Sequence, residues 1–181
     1  NYDNVMGAIS VLNERQCFDI GARKISISTC GITAGIKKLA EETLQLNLAV
    51  SLNAPDDGLR SKLMPVNDKY PISEIIRAVK DYIHKTNRRV MFEYVLLDGV
   101  NDSREQAARL AGLLGGLLCF VNLIPYNGSE GFSAPSGAKI SQFKKILEKN
   151  GISVTRRYEF GRDIRAACGQ LVYGDRYRNQ P

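Results

Sequence analysis

Apolar positions recur along this chain in two alternating rhythms. Spacings of three and four mark helices; spacings of two, or short unbroken apolar runs, mark strands. Val5, Met6, Ile9 and Leu12 predict a helix over about 4–17, with Asp3 or Asn4 as its cap. Lys24 to Ser28 reads as a short alternating strand, Gly31 breaks the chain, and a helix follows over about 33–43 with Thr33 as a cap. The nearly continuous apolar run from Leu46 to Leu52 predicts a strand covered on both faces. Asn53 to Asp68, with Pro55, Gly58 and Pro65, reads as a loop. A helix over about 72–85 starts near Pro71 or Ser73, and Arg89 to Leu97 is a strand rich in Val, Phe and Tyr. The loop from Asp98 ends at Ser103, where it caps a helix over about 103–117. Leu118 to Ile124 is a strand, Pro125 to Pro135 a loop, 136–149 a helix and Gly151 to Tyr158 a last strand. The tail from Tyr173 is polar and charged and is expected to fray.

Five strands alternating with helices on short connections predict an α/β fold with a parallel sheet and right-handed crossovers. A flavodoxin-like open sheet and an incomplete barrel both fit that order. In either, functional residues gather in the loops after the strand C-termini. Without a linker, a low-complexity stretch or an internal repeat, the chain reads as one domain.

Composition narrows the classes. The 181 residues suffice for a sizeable core, and 44% hydrophobic residues exclude a disordered chain. A net charge of +6 fits a polyanionic partner such as nucleic acid, and fits an ordinary basic protein equally. Cysteines 17, 30, 119 and 168 form no CxxC pair, and His84 is the only histidine. A zinc site built from this chain alone is not expected. Scattered cysteines suit a reducing compartment, and the sequence has no signal peptide and no apolar run of bilayer length. A cytoplasmic protein is the expectation. The chain opens on Asn1 rather than methionine, which suggests that an upstream portion is missing.

The strand ends carry a narrow set of groups. They are Ser28-Thr-Cys-Gly31, Ser51-Leu-Asn-Ala-Pro55, Glu93-Tyr94 running to Asp98, and Pro125-Tyr-Asn127. Hydroxyls, amides and backbone groups dominate, with no Ser-His-Asp set, no GxGxxG and no Walker A sequence. Such a rim suits a polar ligand such as a nucleoside better than acid–base chemistry. Routine loop capping explains any one of these residues taken singly. Glu93 lies in an apolar strand, where an inward carboxylate needs a partner and an outward one does not; the sequence leaves both open. Near the C-terminus, Phe160 to Leu171 sets Cys168 between Ala-Ala and Gly, with Arg162 and Arg165 close in sequence. Small flanking residues leave room at the sulfur, and nearby cations would lower the thiol pKa. A buried inert thiol is the simpler local reading.

Taken together, six pieces change that reading. They are Ile27-Ser-Thr-Cys-Gly31, Leu48-Ala-Val-Ser-Leu-Asn-Ala-Pro55, Leu63-Met-Pro-Val-Asn67, Val90-Met-Phe-Glu-Tyr94 with Asp98-Gly-Val-Asn-Asp-Ser103, Asn122-Leu-Ile-Pro-Tyr-Asn127, and Ala166-Ala-Cys-Gly-Gln-Leu171. In this order, over nearly the whole chain, they resemble the C-terminal part of the RlmN/Cfr family of radical S-adenosylmethionine (SAM) 23S rRNA adenine methyltransferases. The resemblance implies a partial radical-SAM (β/α) TIM-like barrel lacking its first strands, with the core segment over 1–172 and a charged tail over 173–181. It implies methylation of adenine C2 in 23S rRNA and tRNA, with the Cfr-type C8 reaction and a non-catalytic RNA-binding module as alternatives. By position, Ser28, Ser51, Leu52, Asn53 and Asn127 match the family's SAM-binding residues. Cys168 matches the catalytic cysteine that is methylated and then carries the one-carbon unit to the adenine. Adenine C2 is electron-poor and cannot attack a SAM methyl group directly, so the family uses a second SAM, cleaved at a 4Fe–4S cluster, to generate a radical. Asn53 stands where many members have His, and Cys30 where Ser or Val is usual. The CxxxCxxC cluster motif, the Gly-Glu segment for the SAM amine and the second catalytic cysteine are not in the sequence; the family places them upstream. No metal ligand is therefore assigned, and the chain alone is expected to be inactive. A monomer acting on RNA, away from membranes, completes the expectation.

Overall fold

The computed structural model describes residues 1–127 and 131–157. In chain order the elements are α1 (Tyr2–Asn13), β1 (Ser26–Thr29), α2 (Thr33–Leu39), β2 (Asn47–Ser51), α3 (Asp57–Leu63), α4 (Ile72–Thr86), β3 (Val90–Leu96), α5 (Arg104–Leu114), β4 (Cys119–Pro125), α6 (Gly137–Lys149) and β5 (Ser153–Arg156). All strand pairs are parallel, and the sheet order is β1-β2-β3-β4-β5. A flavodoxin-like sheet reverses direction at a switch point. A strictly sequential order has none, and is the arc of a (β/α) barrel. Of the two open architectures, the incomplete barrel is the one observed.

Strand alternation sorts the residues by face. Along β3 and β4, buried positions alternate with half-buried ones. Leu48, Val50, Phe92, Tyr94, Val121 and Leu123 point to the covered face and join one core with Ile36, Ile75, Val79, Leu110, Phe143 and Leu147 from the helices. Helix α2 packs beside α4, and α5 beside α6. The other face is half open. Only β2 approaches the doubly covered strand its sequence predicts, with Leu48, Ala49 and Val50 all buried.

The helix ends show which local signals act. Ser103 and Gln106 form a capping box: the Ser103 hydroxyl accepts from Gln106 N–H, and Gln106 Oε1 accepts from Ser103 N–H. The Ser136 hydroxyl likewise accepts from Lys139 N–H at the start of α6. Two expected caps are corrected. Helix α1 starts at Tyr2, so Asp3 and Asn4 lie within its first turn, and Asn1 caps it without a side-chain bond. Thr33 is the first residue of α2, and it is Thr29 Oγ1 that accepts from Gly31 and Ile32 N–H just before it.

The larger correction falls on 53–68, which is not a plain loop. Asp56 accepts from Leu59 N–H and caps α3, and a 3-10 turn follows over Pro65–Asp68. Asp57 then reaches across to accept from Ile72 N–H, so it caps α4. The prolines that suggest a loop flank the short helix rather than interrupt it. Among the described residues no helix is long and apolar enough to cross a membrane.

Candidate cofactor-binding edge

Because every strand runs the same way, the predicted strand-end residues share one edge. Register and face decide what happens there. Ser51, Glu93, Asn122 and Thr155 pair in one rung across β2 to β5. Ser28 lies two residues lower, paired with Ala49, on the same open face. The offset of two residues keeps both serines on one face. It lets the Glu93 carboxylate reach diagonally: Glu93 Oε2 accepts from Ser28 Oγ at 2.9 Å and from Ser51 Oγ at 3.1 Å. The question left open by sequence is therefore answered by the register. Glu93 faces the open side, partly shielded, with two hydroxyl donors. On β5, Thr155 Oγ1 donates to Asn122 Oδ1 at 3.0 Å, extending the polar row.

The Ser51-Leu-Asn53 run is held from below. Leu52 is fully buried; its N–H donates to Glu93 O and its carbonyl accepts from Arg60 Nε at 3.0 Å. Asn53 has a positive φ of 59°, which Asn tolerates better than most residues. Its Oδ1 accepts from Val95 N–H at 2.9 Å, and its Nδ2 donates to Met64 Sδ at 3.2 Å. Leu52 and Asn53 thus set the backbone at the edge, and Asn53 keeps one further amide hydrogen for another partner. Asn127 follows β4 on the same edge, next to Tyr126, whose N–H donates to Leu96 O. Cys168, the Phe160–Leu171 segment and the 173–181 tail lie outside the described residues.

Two residues that sequence reading missed hold this edge together. Arg60, on α3, is fully buried. Its guanidinium donates to the carbonyls of Leu52, Ser51, Cys30 and Tyr70 and to Asn67 Oδ1. Burial pushes its pKa down, offset in part by Cys30 and Asp57, yet a guanidinium stays charged at neutral pH. With no carboxylate among these hydrogen-bond partners, carbonyl dipoles solvate it. One side chain thereby ties the loop after β1 to the end of β2. Gly31 completes the fit: φ is +102°, and an added Cβ would stand 2.4 Å from Ile75 Cδ1. Asn101 makes the matching tie between β2 and β3. Fully buried, it accepts from Leu97 N–H and donates to the carbonyls of Asn53 and Val95. The signal for Arg60 was Asp56 before a Leu59–Leu63 spacing, which marks a capped turn of helix.

The remaining cysteines are dispersed: Cys17 exposed, Cys30 half-buried, Cys119 buried with its thiol pushed up to about 11 by desolvation. Among the described residues no group of three or more His, Cys, Asp or Glu could hold a metal ion. The described part of the chain thus does not fit an iron–sulfur cluster. The hydroxyl and amide groups of the edge do fit a nucleoside-type ligand.

A sequential parallel arc with its polar groups gathered at the strand C-termini defines a partial (β/α) barrel with a ligand-binding edge. Comparison with solved structures agrees. A radical SAM methyltransferase from Sphaerobacter thermophilus superposes with a TM-score of 0.91 at 51% identity, covering 94% of this chain and 50% of that one. A domain of a pyruvate-formate lyase-activating enzyme from Bacteroides vulgatus shares the fold, with a TM-score of 0.62 at 18% identity. No family model matches the sequence. Curated proteins named "Probable dual-specificity RNA methyltransferase RlmN" do: one from Thermoanaerobacter sp. (strain X514) is 51% identical over 173 residues, and one from Spiroplasma citri 48% identical over 171. Each match covers 94% of this chain and 51% or 50% of the relative, so the chain spans about half the length of the curated relatives it matches. Over that span the chain belongs to the RlmN family of radical SAM methyltransferases.

Proposed function

We propose that this chain is part of a radical SAM enzyme that methylates C2 of an adenine in 23S rRNA and in tRNA, working in the cytoplasm as a monomer. The observation that carries the reading is the 51% identity, over 94% of the chain, to proteins named as dual-specificity RNA methyltransferases. The net charge of +6 supports a polyanionic substrate. The Ser28–Glu93–Ser51 cluster, with Leu52, Asn53 and Asn127 on the same edge, supports binding of SAM there.

Within this reading Ser28 and Ser51 receive donor groups of the ligand, and Arg60 and Asn101 keep the two loops from spreading. The Cys168 thiolate attacks the sulfonium methyl group. A sulfur–carbon bond forms on the cysteine as the SAM sulfur–carbon bond breaks, and S-adenosylhomocysteine leaves. The carbon on Cys168 would then pass to adenine C2, a carbon–carbon bond forming as the carbon–sulfur bond to Cys168 and the C2–H bond break. A 4Fe–4S cluster, when bound, would supply the electron that cleaves a second SAM; no group of the described residues could hold it.

The test is mass spectrometry of the adenine made by the intact enzyme containing this chain. The expected product is 2-methyladenine, abolished by Cys168→Ala. Methylation that survives Cys168→Ala, or 8-methyladenine as the sole product, overturns the proposal.

A further inference from the structure

Glu93 lies within one of the family-like pieces but is given no role by the resemblance, yet it is the group on which the two edge serines converge. Both hydroxyl oxygens lie within 3.1 Å of the single atom Oε2. An ionised carboxylate only accepts hydrogen bonds, and a serine hydroxyl has one proton to give. Each serine must therefore spend its proton on Glu93, which leaves only lone pairs for a ligand. We propose that Glu93 is a positioning residue that fixes the hydrogen-bond polarity of this edge, making Ser28 and Ser51 a pair of acceptors that select a ligand with two neighbouring hydroxyl donors. The proposal rests on the reading of this edge as the SAM site.

Several features support it. The pairing Ser51↔Glu93 and the diagonal reach to Ser28 are built into the strand register, so the cluster does not depend on a loop. Leu52 N–H donates to the Glu93 carbonyl, which locks the backbone of both partners. No cation is recorded against the Glu93 carboxylate among the described residues, so its two recorded donors are the serines. A nucleoside offers a complementary pair in the adjacent hydroxyls of its ribose. Had a lysine stood at 93, the same serines would accept from it and turn their protons outward, reversing the preference.

The experiment is calorimetric titration of the intact enzyme containing this chain with S-adenosylmethionine and with its 2′,3′-dideoxy analogue, read as the ratio of the two affinities. Two net hydrogen bonds predict that the wild type prefers the hydroxylated ligand by about tenfold or more. Glu93→Leu frees the serine protons and lowers the ratio, by weakening the hydroxylated ligand alone. Glu93→Gln retains an acceptor in the same place and keeps the ratio. A bystander role in stability would lower both affinities together and leave the ratio unmoved. If Glu93→Leu does not fold, Glu93→Asp decides: its carboxylate is withdrawn by one methylene, and the ratio should fall. An unchanged ratio in Glu93→Leu, or in Glu93→Asp where Glu93→Leu does not fold, overturns the proposal, and so does a ratio lost in Glu93→Gln, which would assign the effect to charge. Wild-type binding of both ligands with equal affinity overturns it while leaving the SAM site standing. No binding of S-adenosylmethionine by the wild type removes the site reading and this inference with it.

Discussion

Phe92 and Glu93 are neighbours in β3 and live in different chemistries. Phe92 is fully buried among Leu, Val and Tyr from the other strands and the helices. Glu93, turned the opposite way, accepts from the hydroxyls of Ser28 and Ser51. The same contrast runs across the sheet, Val50 against Ser51, Val121 against Asn122, Val154 against Thr155. Because strand side chains alternate, one parity carries stability and the other is free to carry a ligand. The division is useful only if the two faces are kept in register at their shared edge. Arg60 and Asn101 perform that task, buried on the core side while bonded to the carbonyls that frame the open side.

The largest effect should come from that junction. Arg60→Met removes the partner of four backbone carbonyls and Asn67 Oδ1. An orphaned buried acceptor costs about 1–3 kcal/mol, so the combined loss should be at least about 4 kcal/mol by urea unfolding. A loss below about 1 kcal/mol would mean that the carbonyls find other donors and that the faces hold together without it.

The faces themselves can be set against each other. Phe92→Ala empties a fully buried site and should cost about 3–5 kcal/mol. Asn122→Ala, on the open face, loses one hydrogen bond to Thr155 and should cost less than about 1 kcal/mol. Equal losses in the same unfolding experiment would break the division between core face and ligand face.

Most of the fold was legible because helix and strand periods differ so plainly along the chain. Each predicted strand is present, and the helices fall within a few residues of their expected bounds. What periodicity could not supply was spatial order. The choice between an open doubly wound sheet and a barrel arc depends on strand order, which leaves no mark on local spacing. The candidate edge was legible as a list, since the residues after parallel strands must share one end. Its organisation was not. Glu93 reaches Ser28 because the register sets Ser28 two residues below the Ser51–Glu93 pair on the same face, and register is a property of pairs of strands. Arg60 was hidden for another reason. A charged residue between Pro55 and Pro65 reads as solvated loop, and only the packed structure shows carbonyls converging on it.

The smallest effect lies beside the edge, where a partly exposed ion cluster, with Lys139 and Asp98 at the surface and the Asp102 side chain beneath them, contrasts with the buried Arg60 network. Lys139 Nζ on α6 stands 2.7 Å from Asp98 Oδ1 and 3.1 Å from Asp102 Oδ2. The hydrogen bond from Lys139 holds the Asp98 carboxyl below its usual range. The bonds to Asp98 and then Asp102 hold the Lys139 ammonium above its usual range. A depressed carboxyl contributes stability above its unfolded pKa, about 4, and loses it as pH falls through the lower folded value. A raised ammonium contributes below its unfolded pKa, about 10.4, and loses it as pH rises through the higher folded value. The cluster therefore stabilises across neutral pH and fades at both extremes. Lys139→Met should flatten both limbs, with a shift of only a few degrees at pH 7 because exposed pairs are weak. Melting temperatures at about pH 3, 7 and 11 check this. If the variant loses as much stability as the wild type between neutral and acid pH, the Asp98–Lys139 pair contributes nothing. Charge at this rim would then be as dispensable as the buried guanidinium is not.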